Sequence, residues 1–220
     1  MRVLAIDTTS PRGSVAVAGP EGVLAEARLV TVEGHSRWLL PAVEMLLRGL
    51  GLDAWALDVF AVTTGPGSFT GLRVGLGSVQ GLALASGRPC VGLPTLDVLA
   101  GAAIGASDTV VALVDAFRGE VYSGVFDGAG HLRRPHGVGL LAEVLPGLPP
   151  GAAFVGGAAL EHREAIRAAV PGAVFPPSPE FLAAPLAVAA LRLAASGVTV
   201  PASGLRPLYL RGVDARPSPA

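Results

Sequence analysis

One short pattern occurs twice in this chain, once in each half. Val3-Leu4-Ala5-Ile6-Asp7 leads to Arg12-Gly13-Ser14-Val15-Ala16-Val17, and Val111-Ala112-Leu113-Val114-Asp115 leads to Arg118-Gly119-Glu120-Val121-Tyr122-Ser123. Each copy is an apolar strand ending in Asp, then a short turn carrying Arg-Gly, then a second strand. The order of elements in the two halves is also alike. In the first half come extended runs over 2–8, 13–18 and 23–32, a helical pattern over 36–50, a strand over 57–64, a helix over 70–86, a strand over 90–93 and a helix N-capped by Thr95. In the second half come strands over 109–114, 120–126 and, more weakly, 131–138. A short helix over 140–145, a strand over 153–155, a helix over 158–170, a strand over 173–175 and a helix over 181–195 complete it. The expectation is an α/β fold of two duplicated βββαβα units, residues 1–106 and 107–220, with mixed sheets covered by helices.

Two such halves, each opening on an Asp-ended hairpin, resemble the actin–hexokinase–Hsp70 superfamily. There the two hairpins face each other across a cleft and hold metal and nucleotide phosphates. Asp7 and Asp115 are therefore candidate cleft residues. The other reading is that each carboxylate only caps its own turn.

Composition removes several chemistries. All sixteen basic residues are arginine, so lysine-based catalysis, Schiff bases and P-loop phosphate binding are excluded. The formal net charge of −1 and the lack of a basic block argue against autonomous nucleic-acid binding. The single cysteine, Cys90, reads as a buried strand residue. Asp7 comes too early for a signal peptide, and the apolar stretch over 181–195 is interrupted by Pro185 and Arg192. A cytoplasmic chain without membrane contact is expected.

The run Gly65-Pro66-Gly67-Ser68-Phe69-Thr70-Gly71-Leu72-Arg73 joins a strand to a helix. Such a turn can offer backbone N–H groups to an anion, which makes Ser68 and Thr70 candidates. Arg118 is a further candidate for an anion in the cleft, or for a salt bridge. The helix behind the turn carries Gly71, Gly75, Gly77 and Gly81, which suggests close approach of another backbone, within the chain or from outside. The preceding helix is apolar on two faces, one with Leu39, Val43, Leu46 and Leu47, the other with Trp38, Ala42 and Met45. A surface helix ordinarily shows one apolar stripe, so this one is buried on two sides or meets another chain.

The segments Leu4-Ala5-Ile6-Asp7-Thr8-Thr9, Gly34-His35-Ser36 with Leu39-Leu40-Pro41, Thr63-Thr64 with Gly65 to Arg73, Val114-Asp115-Ala116 with Arg118 to Tyr122, and Pro207-Leu208-Tyr209-Leu210-Arg211 resemble the TsaB (YeaZ) family. The resemblance spans nearly the whole chain and is strongest at Gly65 to Arg73. It implies an actin-like scaffold or activating subunit without catalytic residues or a cofactor of its own. Its partner would be the TsaD-like catalytic paralogue, which transfers a threonylcarbamoyl group from an adenylate to N6 of the adenosine beside the tRNA anticodon. A TsaE-like ATPase would join them, tRNA would be met only through the complex, and the chain alone would form a homodimer. A nucleotide at the junction with the catalytic partner stays open. The implied partner interface comprises His35, Trp38, Leu39, Ala42, Val43, Met45, Leu46, Gly71, Arg73 and Gly75.

The residues agree with a non-catalytic assignment. The paralogue's metal-binding HxxxH pair has no counterpart, because no two of His35, His131, His136 and His162 are four apart. The glycine-rich adenosine segment is reduced to Val155-Gly156-Gly157-Ala158. The alternative is a small-molecule kinase or ATPase of the same superfamily. A peptidase is disfavoured by the lack of HExxH and GxSxG motifs.

Overall fold

Alternating side chains along each hairpin strand point to opposite faces, and here both faces are apolar. Each sheet must therefore be covered on both sides. The computed structural model, which describes residues 1–31 and 33–211, shows how this is done. Val32, at the end of the third expected run, lies outside the described residues.

The first sheet comprises β1 (Val3–Asp7), β2 (Arg12–Gly19), β3 (Gly22–Val30), β4 (Val59–Thr63) and β5 (Cys90–Leu93), in the order β3-β2-β1-β4-β5. The first three strands are antiparallel, whereas β4 and β5 join parallel. The second sheet repeats the plan with β6 (Thr109–Asp115), β7 (Glu120–Asp127), β8 (Leu132–Leu140) and β9 (Ala153–Val155), in the order β8-β7-β6-β9. The helices are α1 (Leu39–Gly49), α2 (Phe69–Ser86), α3 (Thr95–Gly101), α4 (Leu141–Val144), α5 (Gly157–Glu161), α6 (Arg163–Ala169) and α7 (Ala183–Ala195).

Three expectations need correction, and one weak expectation holds. The strand over 173–175 shrinks to one parallel bridge between Ala153 and Val174. Pro171 before it and Pro176-Pro177 after it lack the N–H groups a ladder requires. The helix over 158–170 divides at His162, which sits at φ −96° and ends α5 as it opens α6. The weakly patterned run over 131–138 is a strand as expected, Leu132–Leu140, and pairing with β7 supplies what its own pattern lacks. Pro94, not Thr95, holds the N-cap position of α3.

Helices α1 and α2 cover the outer face of the first sheet, where Leu4, Ile6, Val15 and Phe60 pack with Leu39, Val43, Leu72 and Val79. On the far side of the second sheet, Val111, Leu113 and Phe154 pack with Ala158 and Ile166. The middle is shared. Helix α3 of the first half lies on β6 and β7, while α7 of the second half lies on β1 and β2. Val3, Ala5 and Ala16 thus share one core with Leu96, Leu99, Ala112, Phe126, Leu186 and Ala190. The Ala183 N–H at the start of α7 donates to Ser14 Oγ on β2 at 3.0 Å. Cys90 is fully buried on β5, and burial pushes its thiol up to about 11.

Candidate functional site

Asp7 ends β1 with its carboxylate turned inward. It accepts from the Thr9 N–H at 3.2 Å, the Thr9 hydroxyl at 2.7 Å and the Thr63 hydroxyl at 2.6 Å, and is 1% exposed. Burial raises its pKa above the ordinary carboxylate value, against the lowering effect of the hydrogen bonds from Thr63 and Thr9. Asp115, at the equivalent end of β6, is exposed and accepts from the Phe117 N–H at 2.8 Å.

The Gly65–Arg73 run lies over the β1–β2 turn. A Cβ on Gly71 would stand 2.0 Å from the Thr8 carbonyl oxygen, and one on Gly67 would stand 2.3 Å from that of Thr9. These glycines permit backbone-on-backbone contact that any side chain would break. The Thr8 hydroxyl donates to Gly71 O at 2.7 Å, and the Ser68 N–H donates to Thr9 O at 2.7 Å. Ser68 Oγ accepts from the Gly71 N–H at 3.3 Å and caps α2. Two of the turn's N–H groups are therefore engaged inside the chain. Thr70 is exposed on the first turn of α2.

Between the halves lies a cleft of about 530 Å³. Thr9, Ser68, Thr95 and Asp115 are among its lining residues, as are Gly156 and Glu161. The cleft therefore joins both hairpin ends to the shortened glycine segment. Arg118, in the β6–β7 turn, is exposed and takes a left-handed conformation at φ 58°.

The outer surface of α1 and α2 differs in character. Leu40, Met45 and Leu84 are 51%, 60% and 70% exposed. A groove between the two helices is lined by Ser36, Leu40, Arg73, Val74, Gly77 and Gly81. A Cβ on Gly77 or Gly81 would meet nothing within 4 Å. The α2 glycines thus divide: Gly71 and Gly75 press on Thr8, while Gly77 and Gly81 open outward.

The residues expected at a partner interface divide in the same way. Met45 and Arg73 are on the surface, and Ala42 is half-buried. Arg73 stacks on the Phe69 ring, 3.8 Å from its centroid, and donates to the Tyr209 hydroxyl at 3.4 Å. Leu39, Val43 and Leu46 are buried in the chain's own core, so they support the face from behind. His35 and Trp38 fasten the first hairpin. Trp38 Nε1–H donates to His35 Nδ1 at 3.0 Å, which leaves Nε2–H to donate to Ser10 O at 2.8 Å.

The family model described as TsaD, tRNA N6-adenosine threonylcarbamoyltransferase, matches residues 22–194. The solved structure of YeaZ from Pseudomonas aeruginosa is similar at a TM-score of 0.81 and 31% identity, over 95% of this chain and 99% of that one. The chain belongs to the TsaB (YeaZ) family. The tRNA threonylcarbamoyladenosine biosynthesis protein TsaB of Escherichia coli (strain K12) is 40% identical over 124 residues, 56% of this chain. That match spans 53% of the relative, about half its length. A more distant likeness, to an inorganic polyphosphate/ATP-glucomannokinase from Arthrobacter sp. strain KM, has a TM-score of 0.53 at 14% identity, over 89% of this chain and 99% of that one. It bears on the fold alone, which is that of the actin–hexokinase–Hsp70 superfamily.

Thr63 and Thr95 stand in the site without having been assigned to it from the sequence. Thr63 holds Asp7, and Thr95 lines the cleft with a buried hydroxyl. The signal for Thr63 was a polar residue closing an apolar strand. Nothing in the sequence paired it with Asp7.

Proposed function

We propose that this chain takes part in the biosynthesis of threonylcarbamoyladenosine on tRNA as a non-catalytic subunit of the cytoplasm. It would scaffold or activate a TsaD-like paralogue that moves the threonylcarbamoyl group from its adenylate to N6 of the adenosine next to the anticodon. A TsaE-like ATPase completes the set, and tRNA is met only through the complex. Family membership supports the process. The observation that carries the non-catalytic role is Asp7, which is 1% exposed and whose Oδ1 takes three hydrogen bonds from Thr9 and Thr63 inside the fold. The uncovered α1–α2 face, with Leu40 and Met45 outward, is the surface the paralogue would cover, or a second copy of the chain in its absence. Among the described residues no helix is long and apolar enough to cross a membrane.

Reconstitution is the test. The paralogue, the ATPase, the adenylate donor and tRNA are combined with and without this chain, and modified adenosine is measured. Modification is expected to fall to background without the chain and to be restored equally by the wild type and Asp7→Asn. Full modification by the paralogue alone overturns the role. The double substitution Leu40→Asp with Met45→Asp is expected to abolish co-purification with the paralogue while stability changes by about 0.5 kcal/mol or less, as for exposed sites. Trp38 is unsuited to this test because it anchors the hairpin. The alternative, a kinase or ATPase of the same fold, requires the isolated chain to bind and turn over Mg-ATP in calorimetric and phosphate-release assays.

A further inference from the structure

We propose that the cleft between the halves binds a small organic cation with an aliphatic body, of the diamine or polyamine class. Its volume of about 530 Å³ falls within the range of small-ligand sites. The charged residues among those lining it are Asp115, Glu161, Glu180 and Arg12, three carboxylates against one guanidinium. Arg12 and Glu180 offset each other, with Arg12 Nε 3.5 Å from Glu180 Oε2, which leaves the carboxylates of Asp115 and Glu161 to set the sign of the lining. A ligand in this cleft meets a field that favours positive charge and repels phosphates.

Acidic rims are common on surfaces, and this one alone would carry nothing. The second observation is Thr95. It lines the cleft, is only 3% exposed, and its hydroxyl oxygen has no hydrogen-bond partner among the described residues. Its backbone N–H is spent on Gly65 O at 2.8 Å. A buried hydroxyl left unpaired is costly, and folded chains rarely keep one without a use. Its lone pairs suit an ammonium group, which offers donors and no acceptor. Leu99, Val114, Leu160 and Leu182 supply apolar wall on which a methylene chain can lie. Carboxylates, a buried acceptor and an aliphatic wall together describe a ligand with separated ammonium groups on a hydrocarbon spine. A nucleotide is the wrong complement: the chain has no lysine, and the Ser68 and Gly71 N–H groups at the turn are engaged.

The experiment is calorimetry on the purified full chain with spermidine as probe and Mg-ATP as control, at low and physiological ionic strength. Saturable one-to-one binding of spermidine is expected, weakening as salt is raised. The double variant Asp115→Asn with Glu161→Gln should weaken it at least tenfold. Thr95→Val should also weaken it about tenfold, by loss of one acceptor to a charged donor. The same variant should raise the melting temperature of the ligand-free chain, since it removes a buried unpaired hydroxyl. Absence of saturable binding, binding unchanged in both variants, tighter binding of Mg-ATP than of spermidine, or a lowered melting temperature for Thr95→Val would each overturn the proposal. The site stands apart from the subunit role. A chain that binds spermidine but fails to support tRNA modification overturns only the latter.

Discussion

Asp7 and Asp115 end equivalent strands and begin their turns in the same way. Each accepts the backbone N–H two residues on, from Thr9 at 3.2 Å and from Phe117 at 2.8 Å. This is the turn chemistry that an Asp before a short loop invites. Beyond it the two hairpins part. Asp7 gains the Thr9 and Thr63 hydroxyls and is lost to solvent under the Gly65–Arg73 run. Asp115 stays exposed, and its turn passes through left-handed Phe117 and Arg118 at φ 60° and 58°. The neighbouring strand explains part of the difference. β4 ends in Thr63, whose hydroxyl reaches Asp7, whereas β9 ends in Val155 with Gly156 behind it. The same local motif becomes an internal post in one half and a cleft-lining acid in the other. What covers it decides.

The largest expected effect comes from breaking that cover. Gly71→Ala drives a methyl group into the Thr8 carbonyl and should cost about 3 kcal/mol or more, read by urea unfolding. Gly77→Ala, on the open side of the same helix, should stabilise by about 0.5–1 kcal/mol. Equal outcomes for the two would mean that the cover is not held by close backbone contact. A middle effect is expected at Asp7. Its folded pKa is raised, so its contribution to stability is full at pH below the ordinary carboxylate value of about 4 and is lost as pH rises through the raised value. Asp7→Asn should flatten this part of the melting temperature–pH profile and leave it highest, relative to wild type, at neutral pH. A wild-type stability that does not fall relative to Asp7→Asn over the same window would refute the internal post. The smallest effect is expected at the exposed counterpart. Asp115→Asn keeps an acceptor for Phe117 N–H and should change stability by about 0.5 kcal/mol or less. A larger loss would show that the second hairpin is also tied into the core.

Much of the architecture is legible in the sequence. The duplicated hairpins, β4, β5 and α2 fall where period and turn residues place them, because each carries its own local signal. Failures occur where context outweighs local pattern. The run over 173–175 is throttled by its prolines, and Ala158–Val170 breaks at His162. The site was legible as a set of residues and not as an arrangement. Ser68, Gly71 and Asp7 stand out in the sequence, yet their mutual satisfaction depends on Thr8, Thr9 and Thr63 reaching them across 56 to 63 positions.

The exchange of α3 and α7 marks the limit most clearly. The sequence by itself determined two repeated α/β halves, an arginine-only chemistry and a glycine-rich strand-to-helix turn. Those follow from local periodicity and residue type. Only the tertiary structure decided that each half lends a helix to the other's sheet, that Asp7 faces inward while Asp115 faces the cleft, and that no other described residue covers the α1–α2 face. An apolar helix records that it must be buried, but not against which sheet.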